Sequence, residues 1–217
     1  MPYTMWMNGE TPIGGVMELP EEAREQGARP HWLAYVAVED VDASAKKAGE
    51  LGATVLVGPR DIPDVGRFAV LRDPQGAVIA IYRSAQDASS EAEPNVGQFS
   101  WHELATTDHE AAFDFYSQLF GWNKTEAMDM GEMGTYQMYG TGDRTLGGMF
   151  NKPGEMPGPP AWLYYTLVED IDETVEKVRQ NGGQVVNGPM EVPGGDMIAQ
   201  CIDPQGAMFA IHARSGG

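Results

Sequence analysis

The chain has 217 residues, 42 % of them apolar, enough for one large core or two of ordinary size. Its 14 basic side chains stand against 32 acidic ones, and the net charge of −18 repels phosphate backbones and anionic lipid surfaces, which argues against nucleic-acid or membrane partners. No run approaches the roughly 20 apolar residues of a membrane span. No basic-then-apolar leader is visible, and Cys201 has no second cysteine to pair with, so the expectation is a cytoplasmic protein.

In chain order, Tyr3 to Met7 and Ile13 to Met17 read as strands. His31 to Val38 is a strand candidate, Asp42 to Leu51 a helix, and Thr54 to Val57, Phe68 to Leu71 and Ala77 to Tyr82 three more strands. Residues 85–98 are small, polar and acidic, the composition of a linker. Phe99 to Ala105 is the next strand. Thr107 with Glu110 makes a capping box, Ala111, Ala112, Phe115 and Leu119 recur at helical spacing, and Gly121 supplies the stop. Strands are expected over Trp122 to Glu126, Thr135 to Tyr139 and Leu146 to Phe150. After a Pro/Gly-rich loop the order begins again: strand Trp162 to Val168, a helix capped by Asp172, then strands Gln184 to Asn187, Met197 to Ile202 and Ala207 to His212.

This order is a duplication. Asp73-Pro74-Gln75-Gly76-Ala77 returns as Asp203-Pro204-Gln205-Gly206-Ala207, at an offset of 130 (203 − 73) that Trp32/Trp162 and Gly58/Gly188 share. Upstream the offset is 133 (136 − 3): Tyr3 matches Tyr136, and Gly14-Gly15 matches Gly147-Gly148. The unit is βαβββ, an α+β architecture of tandem modules. We expect an N-terminally incomplete first domain over residues 1–84, a linker over 85–98, and a complete two-module domain over 99–214. The incomplete copy would expose strand edges, so either about 40 further residues precede it, by the module length the repeat defines, or another chain covers the gap.

Trp101-His102-Glu103-Leu104, Thr106-Thr107-Asp108, Phe113-Asp114-Phe115-Tyr116 and Leu119-Phe120-Gly121-Trp122, with the two Asp-Pro-Gln-Gly hairpins, resemble the vicinal oxygen chelate superfamily of glyoxalase I, bleomycin-resistance proteins and extradiol dioxygenases. The likeness covers nearly all of the chain outside the linker. It implies half-barrel sheets forming cups and, in the metalloenzymes, one divalent ion held by ligands from the first and last strands of each module. Laid on this chain, those positions fall at Trp101, Leu163, Ala210 and the Leu146–Phe150 strand, and at Leu33 and Ala80 in the first copy. None offers a donor, so no metal and no cofactor is expected.

Strand alternation then defines the cup. Trp101, Glu103 and Ala105 share a face, as do Leu163, Tyr165 and Leu167, and Met208, Ala210 and His212; Tyr136 and Met138 alternate together on a face the sequence does not fix. The expected ligand-binding residues are Trp101, Tyr136, Met138, Leu163, Tyr165 and Met208, with Glu103 and His212 as candidate catalytic groups. Trp101 is equally compatible with core packing, and His212 with a surface histidine. Gly147-Gly148 reads as close backbone packing rather than a phosphate loop, because no helix follows it. The resemblance implies metal-independent binding of a small, partly apolar molecule, or a lyase of glyoxalase I type using Glu103 or His212. The partners expected are a small molecule and, as an option, a second copy of the chain.

Overall fold

A computed structural model describes residues 3–86 and 93–216. Most of the expected linker falls within them; its central residues, 87–92, lie outside. The elements in chain order are β1 (Tyr3–Asn8), β2 (Thr11–Met17), α1 (Glu21–Glu25), β3 (Tyr35–Ala37), α2 (Val41–Glu50), β4 (Thr54–Ile62), β5 (Gly66–Arg72), β6 (Val78–Ser84), β7 (Phe99–Thr106), α3 (His109–Phe120), β8 (Asn123–Asp129), β9 (Thr135–Thr141), β10 (Arg144–Asn151), β11 (Ala161–Leu167), α4 (Ile171–Gln180), β12 (Gln184–Glu191), β13 (Met197–Ile202) and β14 (Met208–Ala213). The α+β class and the βαβββ order are present, and no described helix is long and apolar enough to cross a membrane.

Two compact units draw on residues from both sides of the 85–98 stretch. One comprises residues 1–32, 92–100 and 164–217, the other 33–91 and 101–163. In the second unit, β3-β6-β5-β4 form one sheet and β7-β10-β9-β8 are neighbours in that order. In the first unit β1 pairs with β2, and β11-β14-β13-β12 follow one another.

Local chemistry explains the boundaries. α3 begins after Asp108, whose carboxylate accepts from the amides of Glu110 and Ala111 at 3.1 Å. The expected cap, Thr107, instead spends its hydroxyl on Gln75. α4 is likewise capped by Asp170, not Asp172, and Asp40 plays that part for α2. Each such cap is worth about 1 kcal/mol. α3 stops where expected, at Gly121 with φ 74°, a left-handed conformation that glycine adopts without penalty. The His31-to-Val38 strand shrinks to β3, because Trp32 leaves the sheet direction to pack on Trp6 at 4.9 Å and near Phe99 and Phe209. β4 and β12 run past their expected ends, through register shifts that absorb Gly58-Pro59 and Gly188-Pro189.

In the second unit the core centres on Tyr116. Its ring stacks on Trp122 at 5.6 Å and meets Trp162 edge-on at 5.3 Å, while Trp122 stacks on Tyr139 at 4.5 Å. The Tyr116 hydroxyl accepts from the Trp162 ring N–H at 3.1 Å and donates to Asp73 at 2.9 Å. Asp73 is buried in the β5–β6 turn, where its other oxygen accepts from the amides of Gln75, Gly76 and Ala77. Beside it, the Gln75 side chain accepts from the hydroxyls of Thr106 and Thr107 and the amide of Asp108, and donates to the Asp108 carbonyl. In the first unit, Ile171 and Val175 of α4 pack on Ala199, Cys201, Ile211 and Ala213. Burial pushes the Cys201 thiol up to about 11.

Asp73→Ala strands several buried donors at once and is expected to destabilise the fold by about 2–4 kcal/mol, read as a lower urea midpoint at an unchanged slope.

Candidate functional site

The face of the second unit opposite α3 is built from three strands. Glu103 lies across from Gly148, and Gly148 across from Met138; Ala105 lies across from Phe150, and Phe150 across from Tyr136. Directly paired residues share a side, so Trp101, Glu103, Tyr136 and Met138 face the same way, which settles the side the sequence left open. The Trp101 ring N–H donates to the Tyr136 hydroxyl at 2.8 Å, and that hydroxyl donates to Glu103 at 3.0 Å. The Tyr136 ring stacks on Phe150 at 6.0 Å and occupies the room Gly148 leaves, for a Cβ there would fall inside the ring. Gly15 makes the same room for Tyr3 in the first unit. Leu163, also in the second unit, is a half-buried residue of β11.

On the other face of β7, His102 turns inward as alternation requires. Its Nδ1 lies 3.0 Å from the Leu146 carbonyl, which can only accept, so Nδ1 carries the proton. Burial holds the ring's pKa below the ordinary 6.5, with Arg144 adding to the effect.

The first unit places its candidates on the face away from α4. Tyr165 lies across from Ala210, and Ala210 across from Gln200, whose amide donates to the Tyr165 hydroxyl at 3.1 Å. Met208 sits on the same side, 42 % exposed at the start of β14. His212 is not a surface histidine. Its Nε2 lies 2.8 Å from Asp196 and its Nδ1 2.9 Å from the Ser100 hydroxyl. The Asp196 carboxylate only accepts, so Nε2 bears hydrogen, and in the neutral ring Nδ1 accepts from Ser100. Burial raises the Asp196 pKa, but the Ser215 amide and His212 outweigh it and hold the carboxyl below its ordinary value.

Ser100, Asp196 and Gln200 were not among the expected site residues. Gln200 shares strand parity with Ile198 and Ile202, opposite the α4-packed Ala199 and Cys201, and that signal was available. Asp196 reaches His212 from the β12–β13 turn, and Ser100 reaches it from the start of β7, 112 positions away, so neither carried a readable signal.

The donor chemistry does not fit the divalent ion that the superfamily's metalloenzymes hold. Trp101 offers a ring N–H and no lone pair, Leu163 and Ala210 offer only alkyl groups, and β10 faces Glu103 with Gly148. Among the described residues no three His, Cys, Asp or Glu side chains converge as a metal site requires.

With fold and site in view, the chain belongs to the Glyoxalase/Bleomycin resistance protein/Dioxygenase superfamily, whose sequence pattern matches residues 2–81 and 98–211. It is 33 % identical over 206 residues to a Mycobacterium bovis protein named "Putative glyoxylase CFP32", covering 94 % of this chain and 77 % of that one. It is 32 % identical over 188 residues to the anthracycline biosynthesis protein DnrV of Streptomyces peucetius, covering 86 % and 67 %. The fold is shared with the Mn(II)-bound glyoxalase of Novosphingobium aromaticivorans, at TM-score 0.57 and 15 % identity over 82 % of this chain and 61 % of that one. It is shared also with a variant of homoprotocatechuate 2,3-dioxygenase from B. fuscum, at TM-score 0.60 and 13 % identity over 86 % and 56 %.

Two outcomes follow from this geometry. Because the folded His102 resists protonation, the unfolded chain takes up a proton first. Stability is full above pH 6.5 and falls below it, by at most about 1.4 kcal/mol per pH unit, until the folded ring titrates. His102→Gln should flatten that part of the stability–pH curve in urea titrations. Gly148→Ala should expel the Tyr136 ring from its seat, seen as loss of the Tyr136 ring shifts in NMR spectra, while Gly154→Ala, where a Cβ meets nothing, should leave them in place.

Proposed function

We propose that this chain binds a small, partly apolar molecule against the Trp101–Tyr136–Glu103 face without a metal ion. The observation that carries this reading is the Trp101-to-Tyr136-to-Glu103 hydrogen-bond chain. It fixes two large rings beside one carboxylate, where the resemblance places the first metal ligand. Rigid aromatic walls with one polar anchor suit an apolar guest and give it an orientation. A ring-bearing guest is the chemistry such walls favour, and a relative named for anthracycline biosynthesis supports it. The test is native mass spectrometry of protein purified from its own source, paired with metal analysis. A stoichiometric small-molecule adduct that is retained through chelation and lost in Trp101→Ala is the expected result. A stoichiometric divalent ion whose removal lowers the melting temperature overturns it.

A second reading, a lyase of glyoxalase I type, draws on a separate observation. His212 is held between a carboxylate that orients it and a hydroxyl, an arrangement that suits proton transfer. Here Glu103 or His212 would move the proton. Turnover of methylglyoxal with a thiol, lost by at least about tenfold in Glu103→Gln or His212→Gln, is the outcome that favours this reading. Its absence in the unaltered protein removes the reading.

A further inference from the structure

His212 stands in a polar constellation that the duplicated scaffold does not itself require. At the offset of 130, its partner Asp196 corresponds to Gly66 (196 − 130) and His212 to Tyr82 (212 − 130). In the first copy the Tyr82 ring sits over Gly66, where an added Cβ would fall 2.7 Å from it, and its hydroxyl donates to the Val65 carbonyl. A ring on a glycine is therefore enough to fill this place. The second copy replaces both residues together, with an imidazole and a carboxylate 2.8 Å apart.

The imidazole is aimed as well as paired. Asp196 is itself held by the Ser215 amide at 2.7 Å, and it fixes a hydrogen on Nε2. In the neutral ring that turns the Nδ1 lone pair to the Ser100 hydroxyl, 2.9 Å away. The Ser100 oxygen also lies 3.3 Å from the Tyr165 carbonyl, a second acceptor. When Nδ1 carries a proton it donates back to Oγ, and the hydroxyl turns to that carbonyl, so the oxygen keeps its place in either state. Ser100, His212 and Asp196 are all half-buried, screened from bulk water yet within reach of a small reagent.

We propose that Ser100 is a nucleophile for acyl transfer, with His212 as its general base and Asp196 as the residue that positions the base. A serine hydroxyl is a weak nucleophile until such a base takes its proton. Oγ attacks the carbonyl carbon of an ester, and the hydroxyl proton passes to Nδ1. The imidazolium returns that proton to the leaving alkoxide as the C–O bond breaks, and water then hydrolyses the acyl-serine by the same route. Gln200 stands on the face of His212, and it has a second N–H beside the one given to Tyr165 to meet charge on the carbonyl oxygen. Directly across from His212 lie Ile198 and Leu167, which suit an apolar acyl group, and the net charge of −18 disfavours an anionic one. The substrate class is thus a neutral ester of an apolar acid. This activity needs the Ser100 oxygen, which neither a guest on the Trp101 face nor proton transfer by His212 alone requires.

The test is covalent labelling of the whole chain with diisopropyl fluorophosphate, in which Oγ displaces fluoride from phosphorus. A single adduct on the peptide that carries Ser100, located by mass spectrometry, is the expected result. Labelling should vanish in Ser100→Ala and slow by at least about tenfold in His212→Gln. Asp196→Asn should lower the maximal labelling rate by at least about tenfold and leave the reagent concentration that gives half of it unchanged, a split that misfolding does not produce. The chain should also hydrolyse p-nitrophenyl butyrate, with turnover lost in Ser100→Ala. The adduct is read on the unaltered chain, so that outcome does not depend on a variant folding. No adduct, an adduct on another residue, or Ser100 labelled at an equal rate in His212→Gln overturns the proposal, and so does ester turnover that persists in Ser100→Ala.

Discussion

Everything on β7 depends on how its end is held. Thr106, its last residue, is buried and gives its hydroxyl to Gln75, a residue of a different module. Beside that contact Asp73, also buried, gathers three turn amides and the Tyr116 hydroxyl. A carboxylate this enclosed is tolerable only when its oxygens are filled, and here they are filled from its own turn and from the helix of the neighbouring module. The contact is polar where most module packing is greasy, so it specifies one alignment instead of merely favouring contact. Trp101 and Glu103 inherit their placement from it, since they lie within the strand it anchors.

The same scaffold then separates two kinds of polar group. On one face of β7, the Trp101 ring, the Tyr136 hydroxyl and Glu103 form a chain that ends on an acid. On the other, His102 is sealed against a carbonyl and kept neutral by burial. One residue of phase divides a candidate ligand surface from a structural histidine. In the first unit His212 is held at both ring nitrogens, between Asp196 and Ser100, while its counterpart Tyr82 donates to the Val65 carbonyl. The duplicated positions have taken different chemistry on an unchanged backbone plan, as members of a superfamily that hosts several reactions do.

Much of the fold was legible because it rests on local rules. The repeat, the βαβββ order and the Gly121 stop come from spacing and from single residues with one favoured role. Several misses come from competition by residues distant in sequence. Thr107 is a good cap by sequence, but Gln75, 32 positions away, claims its hydroxyl and leaves Asp108 to cap the helix. Asp172 is the expected cap of α4, but Asp170 holds the extended backbone ahead of the helix and its carboxylate accepts from the Glu173 amide. Trp32 has strand character, yet Trp6 and two phenylalanines draw it away. At the candidate site, parity correctly sided Trp101 with Glu103 and set His102 apart. It could not supply Asp196, which arrives from a turn and touches His212 across sixteen residues.

The seats of Tyr136 on Gly148 and of Tyr3 on Gly15 bind each ring to a glycine beneath it. Neither partner is free to drift by itself in descent: a side chain on the glycine evicts the ring, and a smaller residue in place of the ring opens a void over the bare backbone. Such a couple passes down a lineage as one character. Homologues that lose the aromatic should therefore be those in which the glycine also gives way.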